Sequence, residues 1–172
     1  MHRESHPSLS LSGLLFAAVI AAVSWAPAAW SAAVVTSKLQ VRQVQSEHGH
    51  ERLGLAAAAK PGDLLQYRAV YRNSGDAPAT HLLARVPVPL GTTLLTDSLK
   101  PAGAEASTDG THFAPLPLMQ SVSGKDGKRH RQPVPAADIR AVRWNLRTLA
   151  PGQSARVLLR VRINLPQSPI SP

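Results

Sequence analysis

Cysteine is absent from the 172 residues. Its absence rules out disulfides, thiolate chemistry, cysteine-ligated zinc, iron–sulfur clusters and a lipid-modified N-terminal cysteine. Aromatic residues make up 4% of the chain and charged residues 17%. Acidic side chains are scarce, 10 against 19 Lys and Arg, for a formal net charge of +9. Hydrophobic residues, at 44%, are too many for a disordered chain. The 15 Pro and 11 Gly are too few for a low-complexity one. The length suits one domain and a short additional segment.

The first 33 residues differ from the rest. Met1, His2 and Arg3 lead to an apolar run from Leu14 to Val23, then to two small-residue triplets, Ala26-Pro27-Ala28 and Ser31-Ala32-Ala33. This is the layout of a signal peptide, with a run about half the roughly 20 residues needed to cross a bilayer. The pattern predicts a cleaved segment over residues 1–33, a domain over 34–166 and a disordered tail over 167–172. An uncleaved anchor, extended through Trp25 and Trp30, is the alternative. No second apolar stretch reaches membrane length, so the mature chain is expected to lack a transmembrane segment. An exported chain without cysteine points to a bacterial envelope, in the periplasm or at the cell surface and beyond. Removing residues 1–33 deletes only Arg3 and Glu4 among the charges, leaving 18 basic against 9 acidic residues. Such a protein is drawn to acidic surfaces.

After Val34 the hydrophobic pattern alternates with period two, and helical periodicity is nearly missing. From Leu64 to Asn73, Leu65, Tyr67, Ala69 and Tyr71 share one face, and Gln66, Arg68 and Arg72 the other, with Val70 as the exception. Further strands are predicted at Val34–Gln45, Arg52–Ala58, Thr80–Val86, Thr92–Thr96, Ala104–Ser107, Arg140–Leu146 and Ala155–Ile163. The connector Leu149–Ser154 is short enough to pair the last two as a hairpin. Ala114–Asp138 reads as a long loop with one short strand near Met119–Val122. About seven to nine antiparallel strands at this spacing describe an all-β sandwich, with Trp144 and Tyr67 as bulky core elements.

The string Lys60-Pro61-Gly62-Asp63-Leu64-Leu65-Gln66-Tyr67, followed by Tyr71-Arg72-Asn73-Ser74-Gly75-Asp76, resembles the opening of the bacterial conserved repeat domain family (domain of unknown function eleven). Ala77–Thr80, Val86–Thr93, Ala106–Gly110, Val142–Leu146 and Leu149–Ser154 resemble later parts of that pattern, so the likeness covers about residues 57–163 in order. It implies an immunoglobulin-like sandwich in exported or surface proteins, usually without catalysis, and offers no catalytic residues. Many relatives carry Asp where Val86 stands, and residues 120–137 are longer and more basic than the usual connector.

The arginines are the most informative feature. Arg156, Arg160 and Arg162 alternate with the apolar set on the last strand, and Arg143 and Arg147 do so on the strand before it. If those strands form a hairpin and the strand of Arg85 neighbours it, all six share one outward face without an acid. That face is a candidate polyanion-binding plate, because guanidinium groups pair with phosphate and carboxylate in bidentate fashion. The plainer reading is that outward arginine solubilises the sheet and discourages edge pairing. Lys125, Lys128, Arg129 and Arg131 form a second basic cluster, either a flexible anion-contact loop or a solvated hairpin tip around Asp126-Gly127. His48-Gly49-His50 offers two ligands, too few for a metal site, and reads as a polar hairpin loop.

No nucleophile elbow, zinc-protease helix, phosphate loop or dinucleotide fingerprint occurs. The sequence therefore predicts an exported, non-catalytic module with a structural, adhesion or protein-interaction role, needing no cofactor. The alternative is a binder of anionic glycan or lipopolysaccharide through the arginine face. Its partners would be other envelope proteins or anionic glycan and lipid surfaces. Nucleic acid ranks low, since no aromatics interleave the basic positions to stack on bases.

Overall fold

Period-two alternation puts one apolar face on each strand, and burying that face requires a second sheet opposite it. The computed structural model describes residues 31–125 and 127–166, and these form eleven strands and two short 3-10 turns. The proposed signal peptide, up to residue 30, and the tail from residue 167 lie outside the described residues. One antiparallel sheet has the order β2 (His50–Leu55), β1 (Val35–Glu47), β3 (Leu64–Asn73), β11 (Ser154–Ile163), β5 (Thr92–Lys100). A second has β4 (Ala79–Pro87), β10 (Ala141–Leu149), β6 (Glu105–Ser107), β7 (Ala114–Pro115). β8 (Met119–Ser123) and β9 (Arg129–Pro133) pair only with each other. Among the described residues no helix is long and apolar enough to cross a membrane.

The two larger sheets share one core. Leu65, Tyr67, Ala69, Val157, Leu159 and Val161 from the five-stranded sheet meet Ala84, Val86, Val142 and Trp144 from the other. Trp144 is 2% exposed, and its indole N–H donates to the Pro101 carbonyl at 2.9 Å, so the largest core side chain carries no unmet donor.

Three expectations need correction. The strands number eleven rather than seven to nine. Residues 114–138 are not mainly loop: they hold β7, the β8–β9 hairpin and a 3-10 turn at Ala136–Asp138. β10 and β11 are not a hairpin. β10 pairs with β4 and β6, β11 with β3 and β5, and the chain crosses from one sheet to the other between them.

Asn73 explains that crossing. It is fully buried at the end of β3, where its Nδ2 donates to the carbonyls of Ala77 (2.7 Å) and Leu149 (2.9 Å). Its Oδ1 accepts from the backbone N–H groups of Val34 (3.2 Å) and Gly75 (3.1 Å). Its own backbone takes N–H from Gly152 and gives N–H to Gln153, which pins the 150–153 connector beside β3. Gly75 fits here because a Cβ would collide with the Val34 nitrogen.

Replacing Asn73 with Ala strands two carbonyls and two N–H groups, and is expected to cost about 4 kcal/mol in urea unfolding. Asn73→Asp is expected to do no better, since a carboxylate cannot donate to the two carbonyls. A loss below about 1 kcal/mol in both variants would show that this amide does not hold the crossings together.

Candidate anion-binding face

In an antiparallel sheet, directly paired residues put their side chains on the same face, so the register lists the outward rows. On the five-stranded sheet the inward pairs Val41–Tyr67–Leu159 and Leu39–Ala69–Val157 leave five outward rows between and around them. The rows read Thr36–Arg72–Ser154, Lys38–Val70–Arg156, Gln40–Arg68–Leu158–Lys100, Arg42–Gln66–Arg160–Leu95 and Val44–Leu64–Arg162–Thr93. Val70, the exception in the alternation of β3, is thus an outward residue between Lys38 and Arg156.

The six arginines singled out from sequence do not share a face. Arg156, Arg160 and Arg162 belong to the five-stranded sheet, whereas Arg85, Arg143 and Arg147 stand on the four-stranded one. The cause is the crossing between β10 and β11, which alternation within a strand does not report. Lys38, Arg42, Arg68, Arg72 and Lys100 lie on the same face as the β11 arginines, a grouping that alternation within a strand does not show. The signal for Arg68 and Arg72 was the outward side of Leu64–Asn73; that for the others was pairing, which no single strand discloses.

The strands that carry the six arginines have no acid, but neighbouring strands bring acids to both sheets. On the larger sheet, Arg160 Nη1 and Nη2 donate to Glu51 Oε1 and Oε2 at 2.8 and 2.7 Å, and its Nε donates to Gln66 Oε1 at 3.1 Å. The Arg160 guanidinium bonded to Glu51 holds that carboxyl below its ordinary value, and the same bond raises Arg160. Asp97 is the other acid on this side, in the bulge of β5. Among the described residues, Lys38, Arg42, Arg68, Arg72, Lys100 and Arg156 have no ion-pair partner. Two shallow concavities mark the face. One of about 290 Å³ is lined by Gln40, Arg42, Leu53, Gln66 and Arg68. The other, about 270 Å³, is lined by Leu95, Asp97, Ser98, Lys100, Leu158 and Arg160.

The four-stranded sheet treats its arginines differently. Arg85 and Arg143 are direct cross-strand partners, a placement that costs stability for like charges. Glu105, opposite Arg143 on the other side, takes its Nε at 2.9 Å and Nη2 at 2.5 Å. The Phe113 ring lies over both guanidinium groups, 4.3 Å from that of Arg143 and 5.6 Å from that of Arg85. Arg147 sits in a bulge of β10 with φ of 57°, its N–H donating to Asn145 Oδ1. Arg85 and Arg143 thus serve the local structure of their sheet, and Arg147 does so through its backbone.

The β8–β9 hairpin carries Lys125 near its tip and Arg129 and Arg131 on exposed β9, paired with Ser123 and Ser121. Lys128 closes the turn by accepting from Gly124 N–H, and Asp126 lies outside the described residues. This basic cluster is a separate ribbon, not part of either sheet face. His48 and Gly49, with φ of 51° and 81°, form the two-residue turn between β1 and β2, as a polar hairpin loop requires. Among the described residues no three His, Asp or Glu side chains gather to hold a metal.

Asp109 serves its own loop. Its carboxylate accepts from the N–H groups of Thr111 (2.7 Å) and His112 (2.8 Å) and from Ser107 Oγ (2.8 Å), and contacts His112 Nδ1 at 2.6 Å. The His112 bond, followed by the backbone donors, holds Asp109 far below the usual carboxylate range, and the same bond raises His112.

No protein-family model, curated protein or solved structure matches the chain.

The Asp109–His112 pair sets a pH window. A depressed carboxylate stabilises above its unfolded pKa and loses that contribution as pH falls through the folded one; a raised imidazole stabilises below its unfolded pKa and loses it as pH rises through the folded one. The loop is therefore best held between about pH 4 and 6.5. In an NMR titration the His112 midpoint should lie above the ordinary imidazole value, and Asp109→Asn should bring it back. An unchanged midpoint in that variant would sever the link.

Proposed function

We propose that this chain is an exported, non-catalytic β-sandwich module of the bacterial cell envelope that binds polyanions through the outer face of its five-stranded sheet. One observation carries the reading: Lys38, Arg42, Arg68, Arg72, Lys100, Arg156, Arg160 and Arg162 share that face, with Asp97 and Glu51 the acids beside them among the described residues. A field of one sign on a broad sheet attracts counter-charged polymers and surfaces. Export rests on the signal-peptide layout of residues 1–33 and on the resemblance of residues 57–163 to the conserved repeat domain family. The immunoglobulin-like assignment rests on two sheets around one core; the final strand sits beside β3 and β5, so the likeness lies in architecture rather than strand order.

A structural or adhesive role through protein contacts is the second reading. Val35 (37% exposed) and Leu39 (48%) favour it, because they lie on the inward side of β1 without cover from the other sheet.

Retention on a heparin column tests the first reading. Arg42→Gln/Arg68→Gln/Arg156→Gln should elute at clearly lower salt than the parent chain. Arg129→Gln/Arg131→Gln/Arg147→Gln removes the same number of charges away from the face and should elute close to the parent. Equal losses in both variants would mean that net charge, not this sheet, governs binding.

A further inference from the structure

The cations of the five-stranded sheet do not form a continuous stripe. Row by row they alternate. Lys38 and Arg156 flank Val70, Arg42 and Arg160 flank Gln66, and in the row between them Arg68 and Lys100 flank Leu158, displaced by one strand. No two of them are direct cross-strand partners. Strands lie about 4.8 Å apart, so the backbone positions that carry the charges recur within a row every two strands, about 10 Å. Each gap holds an uncharged side chain, and beside the cations lie the amides of Gln40 and Gln66.

We infer, building on the polyanion reading above, that this face binds an acidic polysaccharide with a carboxylate on alternate sugars, laid across the strands from β1 to β5. The two concavities lie on the same pair of rows, one between β1 and β3 and one between β11 and β5, again two strands apart. Each is bordered by two cations, the second with Asp97 beside them. Gln40 in the first offers a donor and an acceptor to sugar hydroxyls, while buried Gln66 already accepts from Arg160 Nε. The Arg160 fork is already filled by the carboxylate of Glu51, bonded through both oxygens, so the face demonstrates on its own side chain the geometry that an incoming carboxylate would take. Glu51 is a built-in competitor, and a glycan carboxylate displaces it.

Other polyanions fit less well. Tyr67 and Tyr71 point into the sandwich, Trp144 is buried and Phe113 stands on the other sheet, so among the described residues no ring on this face stacks on a base. A lipid surface meets protruding groups, whereas Gln66 is only 8% exposed and lies in a hollow.

The full chain is titrated at one ionic strength with four probes: hyaluronan oligosaccharides, which carry a carboxylate on alternate sugars; oligogalacturonate, which carries one on every sugar; a thymidine oligonucleotide; and phosphatidylglycerol vesicles. Hyaluronan oligosaccharides are expected to bind about tenfold or more tightly than the rest. Glu51→Gln should tighten that binding several-fold, while Arg42→Gln and Lys100→Gln each weaken it and leave the thermal midpoint unchanged. Equal affinity for all four probes, tighter binding of oligonucleotide or vesicle, or indifference to Glu51→Gln would overturn this inference and leave polyanion binding standing. Absence of salt-sensitive binding to any probe would remove both.

Discussion

The buried amide of Asn73 ties together two of the four places where the described chain passes from one of the larger sheets to the other. Both crossings, from β3 to β4 and from β10 to β11, occur at the same end of the molecule. The side chain donates to a carbonyl from each, at Ala77 and Leu149, and its backbone holds the connector through Gly152 and Gln153. All four hydrogen-bonding positions of the amide are used, so the cost of burying it is offset. With Leu149 fixed to one side of this residue and Gln153 to the other, β11 enters beside β3. That placement brings Arg156, Arg160 and Arg162 next to Arg68 and Lys38, and the basic face exists because of it.

The strands themselves were legible in the sequence, and their neighbours were not. Alternation over Leu64–Asn73 and Ala155–Ile163 shows which side chains go inward, because a pleat of period two admits only two faces. It is silent on pairing. A short connector with Pro151 and Gly152 is compatible with a hairpin or with an arch between sheets. The choice is made by Asn73, 76 residues away from Leu149 in sequence. The same limit applies to residues 114–138: Pro, Gly and charge suggested loop, but a ribbon such as β8–β9 satisfies its backbone through cross-strand bonds without burying an apolar face. At Asp109 the local rule did hold. An Asp before Gly turns its carboxylate on nearby N–H groups, and no distant residue is needed to complete that arrangement.

The two arginine populations show what a sheet does with cations. Where Arg85 and Arg143 stand opposite each other, the structure supplies Glu105 to Arg143 and the face of Phe113 to both. Where Lys38, Arg42, Arg68, Arg156 and Lys100 stand, no ion-pair partner is supplied among the described residues. Counting arginines in the sequence makes the two groups look alike, yet the second gathers more unpaired cations on one face.

Magnitudes explain how that second group can remain uncompensated. Two unit charges in water repel by about 0.8 kcal/mol at 5 Å and by about 0.4 kcal/mol at 10 Å. At physiological salt the screening length is about 8 Å, which shrinks the more distant term further. No two of these cations are direct cross-strand partners, although Arg160 and Arg162 follow each other on β11, so the face tolerates its own field with the sandwich intact. Solubility alone would be served by cations at any outward positions, and by acids as well as bases. It does not explain why a carboxylate from β2 reaches over to hold Arg160 by both oxygens while the cations around it stay unpaired. That contact marks the position on the face where the geometry for an anion is already complete.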